Sequence, residues 1–220
     1  MNFEAVLDIL FPPECLACGR RLATGTLCGA CKKTIGRPPA IALKSMDIDG
    51  CGRCYFLAAA GRYHNHVLKT LIHALKFGGI KGAAPPLAEI LARHARTIRL
   101  PLKMFLVMPI PLSKIRMRER GFNQSALIAE RFARTLGLPL EKEILVRTRH
   151  RKPQSRTETL AERRENIRGC FAIRNDTVLA QKNIILVDDV STSGSTFLEA
   201  ARVLAGGGAE TILALAIAKA

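Results

Sequence analysis

Apolar residues along this chain recur with two spacings, and the alternation between them lays out most of a fold. Continuous apolar runs at Phe105 to Ile110, Ile184 to Val187 and Thr211 to Ala218 have the length of strands buried on both faces. Leu145 to Arg149 predicts a further strand. Helical spacing predicts a helix ending at Lys76 before Gly78 and Gly79, with a strand edge near Tyr63 ahead of it. A second helix starts at Pro85 and runs through Leu87, Ile90 and Leu91 to about Arg96. A third, Ser125 to Leu136, stops at Gly137, and a fourth carries Phe197, Leu198, Ala201, Val203 and Leu204 up to Gly206–Gly208. Residues 150–165 are polar and read as a long loop or a frayed helix. Strands alternating with helices predict an α/β fold, a Rossmann-like parallel sheet flanked by helices, with ligands at the carboxyl ends of the strands. The sequence divides into a cysteine-rich module, 1–58, and this α/β domain, 59–220.

The stretch ILVDDVSTSGST, Ile185 to Thr196, carries the most chemistry. An apolar strand delivers two adjacent carboxylates, Asp188 and Asp189. After Val190 come Ser191, Thr192, Ser193, Gly194, Ser195 and Thr196, and a helix begins directly afterwards. Backbone N–H groups at a helix N-terminus favour a phosphate, and small residues let it approach them. The hydroxyls of Thr192, Ser193 and Thr196 add donors. The carboxylates repel phosphate but accept hydrogen bonds from vicinal hydroxyls such as those of ribose. A Walker-type loop is excluded because the Gly-Lys-Ser/Thr ending is absent.

Seven cysteines change the picture at the other end of the chain. Six form CxxC pairs, Cys15/Cys18, Cys28/Cys31 and Cys51/Cys54, and Cys170 stands apart. The opening MNFEAVLDILFPPEC lacks the basic and cleavable apolar regions of a secretory leader, and no run of about 18 apolar residues is present. The expected location is the cytoplasm, where paired cysteines bind metal rather than form disulfides. Cys15, Cys18, Cys28 and Cys31 supply a tetrahedral sulfur site for one structural zinc ion. A segment of this size holds its shape poorly without such a staple. For Cys51 and Cys54 three readings stay open: alternative ligands to the same zinc, remnants of a lost site, or a redox dithiol.

The net charge is +16, from 34 Lys and Arg against 18 Asp and Glu. The cations cluster. Lys114, Arg116, Arg118 and Arg120 precede the third helix, and Arg147, Arg149, Arg151, Lys152, Arg156, Arg163, Arg164 and Arg168 crowd the polar loop. Such runs can be solvated surface, a grip on a pyrophosphate group, or a nucleic-acid backbone contact. The five histidines show neither metal nor catalytic spacing. Aromatic stacking on nucleic acid is not expected, since only Tyr55, Tyr63 and nine Phe are available and most of them are expected to be buried.

The strand, two acids, Val190, Ser191, Thr192, Ser193, Gly194, Ser195 and Thr196 resemble the phosphoribosyl-pyrophosphate (PRPP) motif of type I phosphoribosyltransferases. One hydroxyl-preserving change, Ser193 for the second Thr, separates them. With VMPIPLSK at 107–114, the run RGFNQSALIAERFA from Arg120, LIHALKFGG around Lys76 and the CxxC pairs, nearly the whole chain resembles the ComF family (ComFC/GntX-like), linked to DNA uptake and natural competence. Members commonly carry four CxxC pairs, and here the pair between Cys31 and Cys51 is missing.

The resemblance implies a type I phosphoribosyltransferase fold with a small N-terminal zinc-binding module. It implies PRPP bound with Mg²⁺, the ribose on Asp188 and Asp189, and the 5′-phosphate in Ser191 to Thr196. Pro109 to Leu112 becomes a pyrophosphate loop presenting backbone amides, Pro111 and Leu112 among its residues. Arg118 and Arg120 add cations, and Arg149 to Arg164 becomes a closing loop in which Arg156 and Arg164 touch pyrophosphate. Lys76 is a weaker candidate. Two functions remain: a phosphoribosyltransferase that contacts single-stranded DNA, and a non-catalytic, PRPP-responsive, zinc-containing DNA-binding protein. Competence or DNA-processing proteins are the implied partners.

Overall fold

A computed structural model describes residues 13–35, 43–50, 52–148, 167–174 and 179–220. In chain order they form α1 (Gly29–Thr34), β1 (Lys44–Asp47), β2 (Cys54–Ala59), α2 (His66–Lys76), α3 (Ala84–Ala95), β3 (Phe105–Pro109), α4 (Lys114–Arg120), α5 (Gln124–Leu136), β4 (Leu145–Arg147), β5 (Phe171–Ile173), β6 (Asn183–Ser191), α6 (Ser195–Gly206) and β7 (Thr211–Lys219). The central sheet has the order β1-β2-β7-β6-β3. Four strands are parallel, and β1 closes one edge antiparallel to β2. β4 and β5 make a separate antiparallel ribbon.

Side chains alternate across β6, so one strand feeds two cores. Ile185 and Val187 pack with α2, α3 and α5. Ile184 and Leu186 pack with α6, Ile144, Leu145 and Phe171. The helices that cover the first face are set by local signals. Asn65 caps α2 through Leu68 N–H, and Pro85 and Pro86 sit in the first turn of α3, where their missing N–H groups cost nothing. Among the described residues no helix is long and apolar enough to cross a membrane.

The predicted strands and helices of the α/β region are present, with two differences. β6 continues through Asp188 and Asp189 to Ser191, because its parallel pairing with β7 persists as far as Ser191 opposite Lys219. β2 pairs along β7, Phe56 opposite Leu213 through Ala59 opposite Ala216, and β1 pairs with β2, so the main sheet reaches back to Lys44 and crosses the division drawn between 58 and 59. Of the strand expected at Leu145 to Arg149, the described part ends at Arg147.

Candidate functional site

The two carboxylates sit at the carboxyl end of β6, and each is held by a different helix. Asp189 is buried, and Lys76 at the end of α2 places its ammonium 3.1 and 3.0 Å from the two carboxylate oxygens. Asp188 accepts hydrogen bonds from Ser125 Oγ at 2.7 Å and from the Asp189 amide at 2.9 Å. Burial, and then the neighbouring Asp189 charge, push the Asp188 carboxyl up to about 7, against the opposing pull of Ser125 and Lys76. With both acids ionised, the group Lys76, Asp188 and Asp189 carries one net negative charge. At neutral pH the pair is therefore poised to take up a cation and release a proton.

The hydroxyl-rich loop follows at once. Asp188, Ser191, Thr192, Gly194, Ser195 and Thr196 line one small concavity at the start of α6. Gly194 has φ +79°, a conformation that permits the turn into the helix and strains any other residue. Ser193 Oγ bonds Ser195 Oγ at 3.0 Å. The hydroxyl of Ser191 is buried with no hydrogen-bond partner among the described residues, an arrangement that costs free energy unless something satisfies it. Lys219 at the end of β7 donates to the Thr192 carbonyl.

The loop after β3 faces this site, but it offers fewer amides than expected. Pro109 and Pro111 have no N–H, and the Ile110 amide donates to Val187 O at 2.9 Å. Of the span 109–112, that leaves the amide of Leu112. Asn123 braces the loop by donating to Ile110 O at 3.0 Å while its own oxygen caps α5. Pro111, Leu112, Lys114, Arg118 and Arg147 line a cleft of about 740 Å³ between this loop and the β4–β5 ribbon. Arg118 is exposed at the cleft, whereas Arg120 is half-buried and donates to Gln124 Oε1 at 2.9 Å. Arg120 still feels both carboxylates electrostatically.

At the N-terminal end, the sulfur atoms of Cys15, Cys18, Cys28 and Cys31 all lie within 4.8 Å of one another. Backbone amides of Cys28 and Cys31 point at Cys15 Sγ and Cys28 Sγ, both at 3.4 Å. Burial would raise the Cys15 thiol, but the amide hydrogen bonds outweigh it and bring it down to about 6. Burial and the three neighbouring sulfurs push Cys31 up to about 12. Four such groups cannot all ionise unaided, and a dication in their midst removes the conflict. Cys54 is exposed at the start of β2 and outside this cluster, and Cys51 lies outside the described residues.

Comparison with known proteins matches residues 123–220 to the phosphoribosyl transferase domain and residues 6–55 to the double zinc ribbon domain. Competence protein ComFC of Bacillus subtilis (strain 168) is 32% identical over 210 residues, which cover 90% of this chain and 81% of that protein. The chain belongs to the ComF family. Competence protein F of Haemophilus influenzae is 28% identical over 94% of this chain and 97% of its own. Among solved structures, the glutamine PRPP amidotransferase of Bacillus subtilis in complex with ADP and GMP aligns with 60% of this chain and 25% of its own, at 20% identity and a TM-score of 0.39. The family models give the type I phosphoribosyltransferase fold with an N-terminal zinc ribbon, and the four clustered cysteines are placed to hold a structural zinc ion.

In this ComF chain, several groups at the site lie outside the matched phosphoribosyl transferase span. Lys76, the loop after β3, Arg118 and Arg120 all precede residue 123. Sequence reading assigned no role to Ser125 or Asn123, although an Asn directly ahead of an amphipathic helix is a capping signal. It also missed Glu199. This buried residue on α6 accepts from the Gly169 amide at 2.7 Å and from Arg202 at 2.7 and 2.9 Å, tying the segment that leads into β5 to the helix behind the loop. Arg156 and Arg164 lie outside the described residues. His94 is buried with neither ring nitrogen bonded, and burial pushes its pKa down, which fits a neutral packing residue.

Proposed function

We propose that this ComF protein binds PRPP with Mg²⁺ at the carboxyl end of β6 and transfers the phosphoribosyl group, with single-stranded DNA as a polyanionic partner. The observation that carries the reading is the braced acidic pair, Asp189 on Lys76 and Asp188 on Ser125, set directly before the loop that opens α6. The ribose hydroxyls donate to Asp188 and Asp189. The 5′-phosphate accepts from the loop Ser191 to Thr196, where the buried Ser191 hydroxyl lacks a partner among the described residues. The net negative charge of the acid pair with Lys76 suits a divalent cation that keeps several of its waters, and bound Mg²⁺ would neutralise charge on the leaving pyrophosphate.

Reaction at C1 breaks the bond to pyrophosphate, whose oxygen takes the electron pair, while an acceptor atom bonds C1. Positive charge grows on the sugar and negative charge on the leaving group. Asp188 and Asp189 stabilise the first. The Leu112 amide, Arg118 and Arg120 stabilise the second, and Arg156 and Arg164, outside the described residues, are the further candidates. Charges placed in advance lower the barrier without reorganisation. The basic surface of Lys114, Arg116 and Arg118, all exposed, and the +16 net charge favour nucleic-acid contact beside the site.

Pyrophosphate release from Mg²⁺–PRPP, with and without nucleobases and single-stranded DNA, tests the transfer. Acceptor-dependent release that disappears in Asp188→Asn/Asp189→Asn supports it. PRPP binding without release under every acceptor condition favours instead a PRPP-responsive DNA-binding role.

A further inference from the structure

Phe77 does not belong to the core. Helix α2 buries Val67, Leu68, Leu71, Ile72 and Leu75 on one face, but Phe77 caps its end, off that face, and is 69% exposed. Leaving a phenyl ring in water forfeits the gain of burying it. The ring is also positioned. Gly78 and Gly79 reverse the chain after it: a Cβ at Gly78 would meet Ala74 O at 2.9 Å, and Gly79 has φ +67°. His73 contacts the ring at a centroid distance of 5.1 Å and an interplanar angle of 57°, and the Arg120 guanidinium lies 5.6 Å from its centroid. Nearby in the chain, Lys81 lies 5.5 Å over the ring of the half-buried Phe122, and Ile80 is 41% exposed.

The location is specific. Phe77 follows Lys76, whose ammonium grips Asp189, and its cation neighbour Arg120 senses both carboxylates. An exposed aromatic ring with Arg120 against it therefore follows directly on the lysine that is paired with Asp189. Cations beside a flat apolar surface complement a molecule that is planar in one part and anionic in another, which describes an unpaired nucleotide.

We propose that Phe77, with Arg120 against its ring, is a stacking platform for an unpaired base of single-stranded nucleic acid at the edge of the phosphoribosyl site. The inference rests on the reading that this face engages single-stranded DNA, and it names the groups that hold the base. It also runs against the expectation that aromatic stacking plays no part in nucleic-acid contact.

The test titrates the full-length, zinc-loaded protein with a single-stranded oligodeoxynucleotide that carries one fluorescent purine analogue, across a series of salt concentrations. Wild type quenches the analogue. Phe77→Ala loses the quenching and about tenfold in affinity, while the slope of affinity against salt is unchanged because the phosphate contacts remain. Phe77→Trp restores both. Near-wild-type melting of each variant confirms that an exposed side chain has been changed without unfolding. Salt-dependent binding that is identical in wild type and Phe77→Ala overturns the platform and leaves the DNA reading standing. No binding by wild type overturns both. Self-association that depends on Phe77, with oligonucleotide affinity unaffected, assigns the ring to a second copy of the chain and overturns the proposal.

Discussion

Lys76 and Asp189, 113 positions apart in the chain, form an ion pair with the ammonium 3.1 and 3.0 Å from the two carboxylate oxygens. The Asp189 side chain is 4% exposed and that of Lys76 21%, so water replaces little of the interaction if one partner is lost. Lys76→Met should destabilise the protein by about 3 kcal/mol, the scale for stranding a buried charge. Adding Asp189→Asn to Lys76→Met should recover part of that loss. Urea denaturation of the two single variants and the double variant measures the coupling, and strict additivity would contradict it.

Asp188 gives stability an unusual pH dependence. Its carboxyl is held up to about 7 from an ordinary 3.8, so between those values the folded state keeps a proton that the unfolded state has lost. This group's contribution therefore falls as pH rises from about 4 to about 7 and is constant on either side. Asp188→Asn removes the effect, so its stability relative to wild type should improve from about pH 5 to about pH 8. A difference that stays flat across that range would show that Asp188 titrates normally.

The cysteine cluster predicts a metal stoichiometry. Elemental analysis should find one zinc per chain, lost in Cys15→Ser and retained in Cys54→Ser, because only the first belongs to the cluster. Cys15, Leu27, Cys28, Cys31 and Ile35 share a buried cluster with residues of α3. Chelation should consequently lower the melting temperature of the whole protein rather than release the module alone. Two bound zinc ions, or loss of metal in Cys54→Ser, would contradict the assignment.

Glu199 should matter beyond its surface partner. Glu199→Gln weakens the bonds to Gly169 and Arg202 without changing side-chain shape, at a cost of about 1–2 kcal/mol. Hydrogen exchange at the Gly169 amide should accelerate as its acceptor loses charge. Unaltered protection at Gly169 would mean that the tether is not formed in solution.

How much of this was legible in the sequence follows from how local each feature is. The β6–loop–α6 unit is contiguous, so its apolar run, acids and hydroxyls announce it. The CxxC pairs do the same for the zinc cluster. The braces are not local: Ser125 reaches Asp188 across 63 positions and Lys76 reaches Asp189 across 113, and no periodicity encodes such pairs. β2 was hidden for the same reason, since its partner β7 lies at the far end of the chain. α4 lacks an apolar face, having no buried residue, and so read only as a basic stretch. Phe77 drew no attention because an aromatic after an amphipathic run normally continues the core, whereas the helix ends one residue before it.

The central claim is that Asp188 and Asp189 form a phosphoribosyl site, and titration calorimetry with PRPP measures it most directly. Wild type should bind PRPP saturably in Mg²⁺ and much more weakly when Mg²⁺ is chelated. Proton release should be seen near pH 7, as the pair takes up the cation. Asp188→Asn/Asp189→Asn should lose at least tenfold in affinity, about 1.4 kcal/mol. Equal PRPP binding by wild type and the double variant, or none by a folded and zinc-loaded wild type, would contradict the account.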